Sequence, residues 1–252
     1  MLAAARTGAG EGTWLRADRQ SAGRGRQGRA WVSPVGNLYA STLVRLRPTD
    51  PAAATLALVA AVAVEEAVWA YLAHPPSPFP PGCAGRAPSL SRREREGGAQ
   101  RRKGEGDALL QLKWPNDLLL DGAKLSGILL ERAEDAVVIG IGVNLAHHPD
   151  LPDRAATSLA AYGVDVTPAA FLETLAECFA RWLSRWRGEG LAPVRARWLE
   201  RAHPPGTALT ARLPGGDAID GLFDGLDADG ALILRLGGGE RRVIHAADVF
   251  LL

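Results

Sequence analysis

Lys113-Trp-Pro-Asn-Asp117-Leu-Leu-Leu-Asp121-Gly-Ala-Lys124-Leu-Ser-Gly127 is the stretch whose reading decides the fold. It reads as strand, polar turn, strand, tight Asp121-Gly122 turn, strand. Apolar runs flank it at 109–112 and 128–130, as suits strands in a covered sheet. Charge inside a covered sheet is costly unless another group answers it. Here two lysines stand eleven positions apart, with Asn116 and Asp117 between them. Of 29 lysines and arginines only three are lysine, namely Lys103, Lys113 and Lys124. A chain that otherwise writes arginine uses lysine twice in this one stretch. Lysine is a compact point charge with rotatable donors, where arginine is a rigid fork. On these residues alone, two snorkelling strand-end lysines are an equal alternative.

Upstream lies Gln20-Ser-Ala-Gly23-Arg24-Gly25-Arg26-Gln27-Gly28-Arg29-Ala30-Trp31. Its glycines free the backbone to curl around a ligand. Its arginines offer forked donors for phosphate or carboxylate. The spacing matches the G-x-G-x-x-G pattern, but that fingerprint needs a helix to open at the loop. Val32-Ser33-Pro34 follows instead, and Pro34 opposes a helix. No Gly-Lys-Ser/Thr follows either, which excludes a P-loop. A single Arg-Gly pass is too short for a repetitive nucleic-acid segment. A solvated arginine loop stays open on this segment alone.

The remaining chain supplies the frame. The first dozen residues are small and glycine-rich, either a frayed helix end or a truncated start. Strands are predicted at 13–19, 37–46 and 136–141, the last running into Gly140-Ile-Gly142-Val-Asn144. A helix is predicted from Asp50-Pro51 to about Leu72, with Pro at its first position and Leu56, Val59, Ala60, Ala63, Ala67 and Ala70 on its core face. Thr167-Pro168 opens a second helix to about Arg187, and a shorter one spans 192–201. Residues 74–106 are rich in Pro, Gly, Ser and Arg and read as a flexible insertion. His203-Pro-Pro-Gly206 breaks the pattern and marks a boundary between 1–203 and 204–252. Short strands at 208–213, 218–226, 231–236, 241–245 and 249–252 then suggest a small barrel. The fold class is α/β of the α+β type, a mixed sheet with helices followed by that barrel.

Net charge is +1, so no global field favours nucleic acid or an anionic membrane. The two cysteines, Cys83 and Cys178, imply neither a disulfide framework nor a metal site. His147-His148 beside Pro149 reads as a solvated loop. The start lacks a signal peptide, and the apolar run 52–64 is too short to span a bilayer. These features point to a cytoplasmic protein.

Four motifs in order then become specific: Gly23-Arg-Gly-Arg-Gln-Gly-Arg29-x-Trp31, Lys113-Trp-Pro-Asn-Asp117, Lys124-x-x-Gly127 and Gly140-x-Gly-x-Asn144. Together they resemble the biotin–protein ligases. The likeness covers nearly all of 13–252 apart from the insertion, and the closing barrel looks like that family's SH3-like C-terminal domain. Such enzymes form biotinyl-5′-AMP from biotin and ATP, then pass biotin to a lysine of a biotin carboxyl carrier protein.

The resemblance implies roles. Lys124, Arg26 and Lys113 would be catalytic. Gln20, Arg24, Gly25, Arg26, Lys124, Gly127 and Gly142 would bind biotin, with the arginine loop closing over it. Arg29, Trp31, Lys113, Asn116, Asp117 and Asn144 would bind ATP, with Trp31 covering the adenine. The metal position is undetermined, with the Mg²⁺ of ATP expected near Asp117. The acceptor would be the carrier domain of acetyl-CoA carboxylase, without DNA or membrane, and a homodimer is compatible with it. The family's Ser-Thr-Asn biotin motif is not found before Gly12, and no helix-turn-helix fits there. A lipoate–protein ligase and a non-catalytic ligand-binding relative are the alternatives. Positive groups suit the chemistry, because a carboxylate attacking a phosphate brings two anions together.

Overall fold

The computed structural model describes residues 1–25, 31–73, 109–150 and 154–251. The insertion at 74–106 and the loop residues Arg26 and Arg29 lie outside the described residues.

Six strands form the first sheet, in the order β1-β2-β6-β5-β4-β3. They are β1 (Trp14–Ala17), β2 (Leu38–Arg45), β3 (Leu110–Lys113), β4 (Asp117–Leu120), β5 (Ala123–Ala133) and β6 (Ala136–Val143). The strand–turn–strand–turn–strand reading of the lysine stretch is the β3-β4-β5 meander. The expected mixed sheet is refined. Every ladder is antiparallel, and parallel pairing among the described residues is confined to the bridges Leu112↔Ala202 and Lys124↔Ala156.

Alternation divides the side chains between two faces. Leu38, Ala40 and Val44 of β2 and Val137, Ile139, Ile141 and Val143 of β6 turn to the main core. The helices α2 (Leu56–Ala73), α3 (Pro168–Glu189) and α4 (Ala192–Glu200) complete that core. Thr167 caps α3 by accepting the Ala170 N–H at 3.2 Å, and Pro168 occupies the first turn. The other face carries Leu43, Ala133, Ala136 and Val138, covered by the short α1 (Leu2–Arg6). Beyond α1 the same face carries Tyr39 and Ser41 of β2 and Gly140 and Gly142 of β6.

Two expectations for α2 need correction. A 3₁₀ turn at Ala53–Thr55 precedes it, so Pro51 is not its first residue. Its burial is not a single stripe: Leu58, Ala61, Val62 and Val64 are buried as well, while Ala70 is exposed. The helix is sandwiched between the sheet and α3 and α4, so apolar residues are needed nearly all round. The span Ala53–Ala73 is long and apolar enough to cross a membrane by length and composition, a longer stretch than the 52–64 run. Most of it is packed inside the protein. Glu65, fully buried within it, meets Arg197 of α4 at 2.7 Å and Arg201 at 3.1 Å.

The second sheet has the order β10-β9-β8-β7-β11. Its strands are β7 (Ala208–Arg212), β8 (Ala218–Leu226), β9 (Leu232–Arg235), β10 (Arg241–Ile244) and β11 (Asp248–Leu251). An irregularity between Phe223 and Gly225 bends β8 and curls the sheet toward a small barrel. Its inward residues Leu209, Ala211, Phe223, Leu234 and Val249 belong to the same apolar core as α2 and α3. Gly230 has φ +83° and sits against Leu58; a Cβ there would lie 2.9 Å from that side chain.

Candidate active site

One rung of the large sheet carries the key residues. Lys113 pairs with Asp117, Asp117 with Gly127, Gly127 with Gly142, and Gly142 with Tyr39. The rung crosses β3, β4, β5, β6 and β2 on the face away from α2. The next rung adds Leu129, Gly140 and Ser41. A cavity of about 400 Å³ lies over these two rungs.

Gln20, Arg24, Gly25 and Trp31 line this cavity together with Lys113, Asn116, Asp117, Lys124, Gly127 and Gly142. The arginine loop and the lysine hairpin thus share one space. The Gly23 carbonyl accepts the Trp31 N–H at 2.9 Å, which pins the two ends of the loop. Arg24 lies 3.5 Å from Glu131 on the rim. The Gln20 Oε1 accepts from Ser33 Oγ at 2.9 Å.

Asp117 is buried between two ammonium groups. Lys124 Nζ lies 2.5 Å from one carboxylate oxygen and Lys113 Nζ 3.2 Å from the other. Burial alone would raise the Asp117 pKa, but the two lysines outweigh it and hold the carboxyl below its ordinary range. For Lys124 burial is the larger influence, and its ammonium is held below the usual lysine value despite Asp117. One carboxylate therefore offsets two cations and leaves a net positive wall.

Gly127 and Gly142 make a flat floor. The Trp31 indole lies on it, 2.9 Å from where a Cβ on Gly142 would be and 3.2 Å from one on Gly127. Lys124 Nζ stands 5.6 Å from that ring's centroid, within cation–π range. The Trp31 indole N–H is buried and has no partner among the described residues.

Asn144, expected on the nucleotide, is not among the residues lining the cavity. Its amide donates to the Thr157 carbonyl at 3.0 Å, and its backbone N–H donates to Leu125. It braces the loop that runs beside Lys124. Asn116 reaches the cavity but donates to the Ile128 carbonyl at 2.5 Å. The expected Mg²⁺ position near Asp117 does not fit these residues. Both carboxylate oxygens already face ammonium groups, and the described residues hold no group of three or more potential metal ligands.

Several lining residues had no sequence signal of their own. Tyr39 and Ser41 follow only from the register of β2. Outside the cavity, Asn37 is silent in sequence as well: its Oδ1 accepts three backbone N–H groups, from Leu145, Ala146 and His147. Asp248, Val249 and Phe250 come from the barrel and close one side. The Val249 carbonyl accepts from Lys113 Nζ at 3.1 Å, and the Gly230 carbonyl from Trp114 Nε1 at 3.1 Å. The lysine hairpin is thereby tied to the second sheet.

Comparison with known proteins gives the arrangement a lineage. The profile of the Biotin/lipoate A/B protein ligase family matches residues 10–144, and that of the Biotin protein ligase C terminal domain matches 207–252. The biotin--[acetyl-CoA-carboxylase] ligase of Paracoccus denitrificans is 41% identical over 94% of this chain and 89% of its own length. The biotin protein ligase of Aquifex aeolicus, solved with biotin and ATP, shares the fold with a TM-score of 0.75 at 24% identity, covering 96% of this chain and 90% of that one. The Leishmania major biotin protein ligase, solved with biotinyl-5-AMP, superposes with a TM-score of 0.60 at 25% identity, over 97% of this chain and 93% of that one. With one family profile spanning more than half of its length and a relative matched nearly end to end, the chain belongs to the biotin/lipoate A/B protein ligase family.

Proposed function

We propose that this chain activates biotin with ATP and transfers it to a specific lysine of a biotin carboxyl carrier protein. In the first step the biotin carboxylate attacks the α-phosphorus of ATP. Pyrophosphate leaves and biotinyl-5′-AMP forms. In the second step the acceptor lysine amine attacks the acyl carbonyl, loses a proton, and AMP leaves.

The observation that carries this reading is the meeting of the arginine loop and Lys124 in one cavity. Two anions must approach there, and cations lower that barrier. One ammonium about 4 Å from a unit anion contributes roughly 4 kcal/mol at an effective dielectric near 20. Lys124, in contact with the glycine floor, is suited to hold the biotin carboxylate and the reacting phosphate. Lys113 and Asn116 are suited to the ATP side. Asp117 keeps the two ammonium groups in place rather than holding metal. Mg²⁺ enters with its substrate, carried on the phosphates.

Gln20, Arg24 and Gly25, with Gly127 and Gly142 beneath, form the biotin end of the site in this reading. Closure of the loop, with Arg26 and Arg29, would shield the mixed anhydride from water. The barrel supports biotin rather than lipoate, because its residues match the Biotin protein ligase C terminal domain. The carrier domain of acetyl-CoA carboxylase is the acceptor this reading favours, which places the enzyme in the cytoplasm.

Incubation with biotin, ATP and a carrier domain tests the proposal by mass spectrometry. One lysine of the acceptor should gain one biotinyl group, with AMP and pyrophosphate released. Acceptor modified by lipoate but not by biotin would decide for the other branch.

A further inference from the structure

We infer that Ser33 is a positioning residue for biotin, its hydroxyl holding the Gln20 side chain at the biotin end of the cavity. The inference rests on the biotin-activating reading above and adds to it a residue that does not itself line the site.

Gln20 lines the cavity from an exposed position just before the arginine loop, and the half-buried Ser33 stands just past the loop's other end. Ser33 Oγ donates to Gln20 Oε1 at 2.9 Å, and the Trp31 carbonyl shares the same hydrogen at 3.2 Å. One hydroxyl therefore joins the two roots of the loop. That hydroxyl is itself well placed. Ser33 precedes Pro34, which confines its backbone to the extended region. The Pro34 carbonyl accepts from Tyr39 Oη at 2.8 Å, which anchors the segment to β2.

Gly23 packs onto the same contact. A Cβ there would overlap the Trp31 carbonyl oxygen and lie 2.8 Å from Ser33 Oγ and 2.9 Å from Gln20 Oε1. Only glycine allows so close an approach, so the backbone entering the loop leans directly on the Ser33–Gln20 pair. An exposed glutamine samples several rotamers, and freezing them counts against binding. A partner that fixes the side chain beforehand removes that cost. Ser33 suits the role because it holds Gln20 from outside the cavity and takes no space from the ligand.

Biotin affinity by titration calorimetry, set beside the KM for ATP in pyrophosphate release, tests the assignment. Ser33→Ala should weaken biotin binding about fivefold, the usual weight of one neutral hydrogen bond, and leave the KM for ATP unchanged. Ser33→Thr, which keeps the hydroxyl, should bind biotin like the wild type. With Gln20→Ala already in place, adding Ser33→Ala should cost nothing more, because a residue that acts through its neighbour is not additive with it. Thermal melting of each variant separates folding from binding. Unchanged biotin affinity in Ser33→Ala, the same loss repeated in the Gln20→Ala background, or an equal change in the ATP and biotin constants would overturn the inference while leaving the ligase reading intact. Wild-type protein that binds no biotin would remove that reading and this inference with it.

Discussion

Gly127 and Gly142 face each other across the β5–β6 ladder, and the Trp31 indole covers both. The floor of the site is bare backbone because any side chain there would occupy the space of the ring or ligand. Gly142→Ala places a methyl 2.9 Å from the indole. Overpacking of this kind should weaken biotin binding about tenfold. Titration calorimetry with biotin measures it, and wild-type affinity would take biotin away from that floor.

Lys124→Ala removes the ammonium nearest the floor. Pyrophosphate release should fall by about three orders of magnitude, the equivalent of roughly 4 kcal/mol in the barrier. The fold should persist, since Asp117 keeps Lys113 as its partner. Release at the wild-type rate would defeat the assignment of Lys124 to the reaction.

Lys113→Met keeps the apolar stem and deletes the charge. It frees the Val249 carbonyl and takes one cation from the ATP side. The KM for ATP should rise about tenfold or more, as expected for a charged hydrogen bond, and the KM for biotin should change less. Equal change in both constants would place Lys113 elsewhere.

The pH dependence follows from the signs of two shifts. Burial pushes the Lys124 ammonium below the ordinary 10.5, so the alkaline fall in adenylation should come at lower pH than a free lysine would give. Asp117 is the reverse case. Burial raises it, the two lysines lower it further, and the net pKa lies below 3.8. Its ionised form therefore stabilises the fold above the unfolded carboxylate pKa, and that contribution is lost as pH falls through the lower folded value. Asp117→Asn should flatten the acid side of a stability–pH curve. An unchanged curve would show that the paired carboxylate contributes nothing.

Much of this site is legible in the sequence because its parts are local. Asp121-Gly122 specifies a tight turn, so Lys113, Asp117 and Lys124 arrive together on one meander. The glycine-rich loop is recognisable from its own residues. What could not be read is set by distant pairing. Nothing in β11 alone tells that Phe250 meets a cavity formed more than a hundred residues earlier. The sequence places Asn144 beside two glycines, but the donation of its amide to the Thr157 carbonyl is a loop contact that only folding creates. The helix α2 reads as one-sided because alanines blur the stripe, while tertiary packing covers it nearly all round. Asn37 is silent in sequence because its value lies in three backbone groups that converge only in the folded chain.

The apolar core runs without a break from α2 through α4 to Val249, and Gly230 seats its turn directly on Leu58. The two sheets therefore have no independent interiors to melt separately. Scanning calorimetry should record a single heat-absorption peak whose van't Hoff and calorimetric enthalpies agree. Removing the last strand would then lower the melting temperature of the whole molecule, not only of the barrel that contains it.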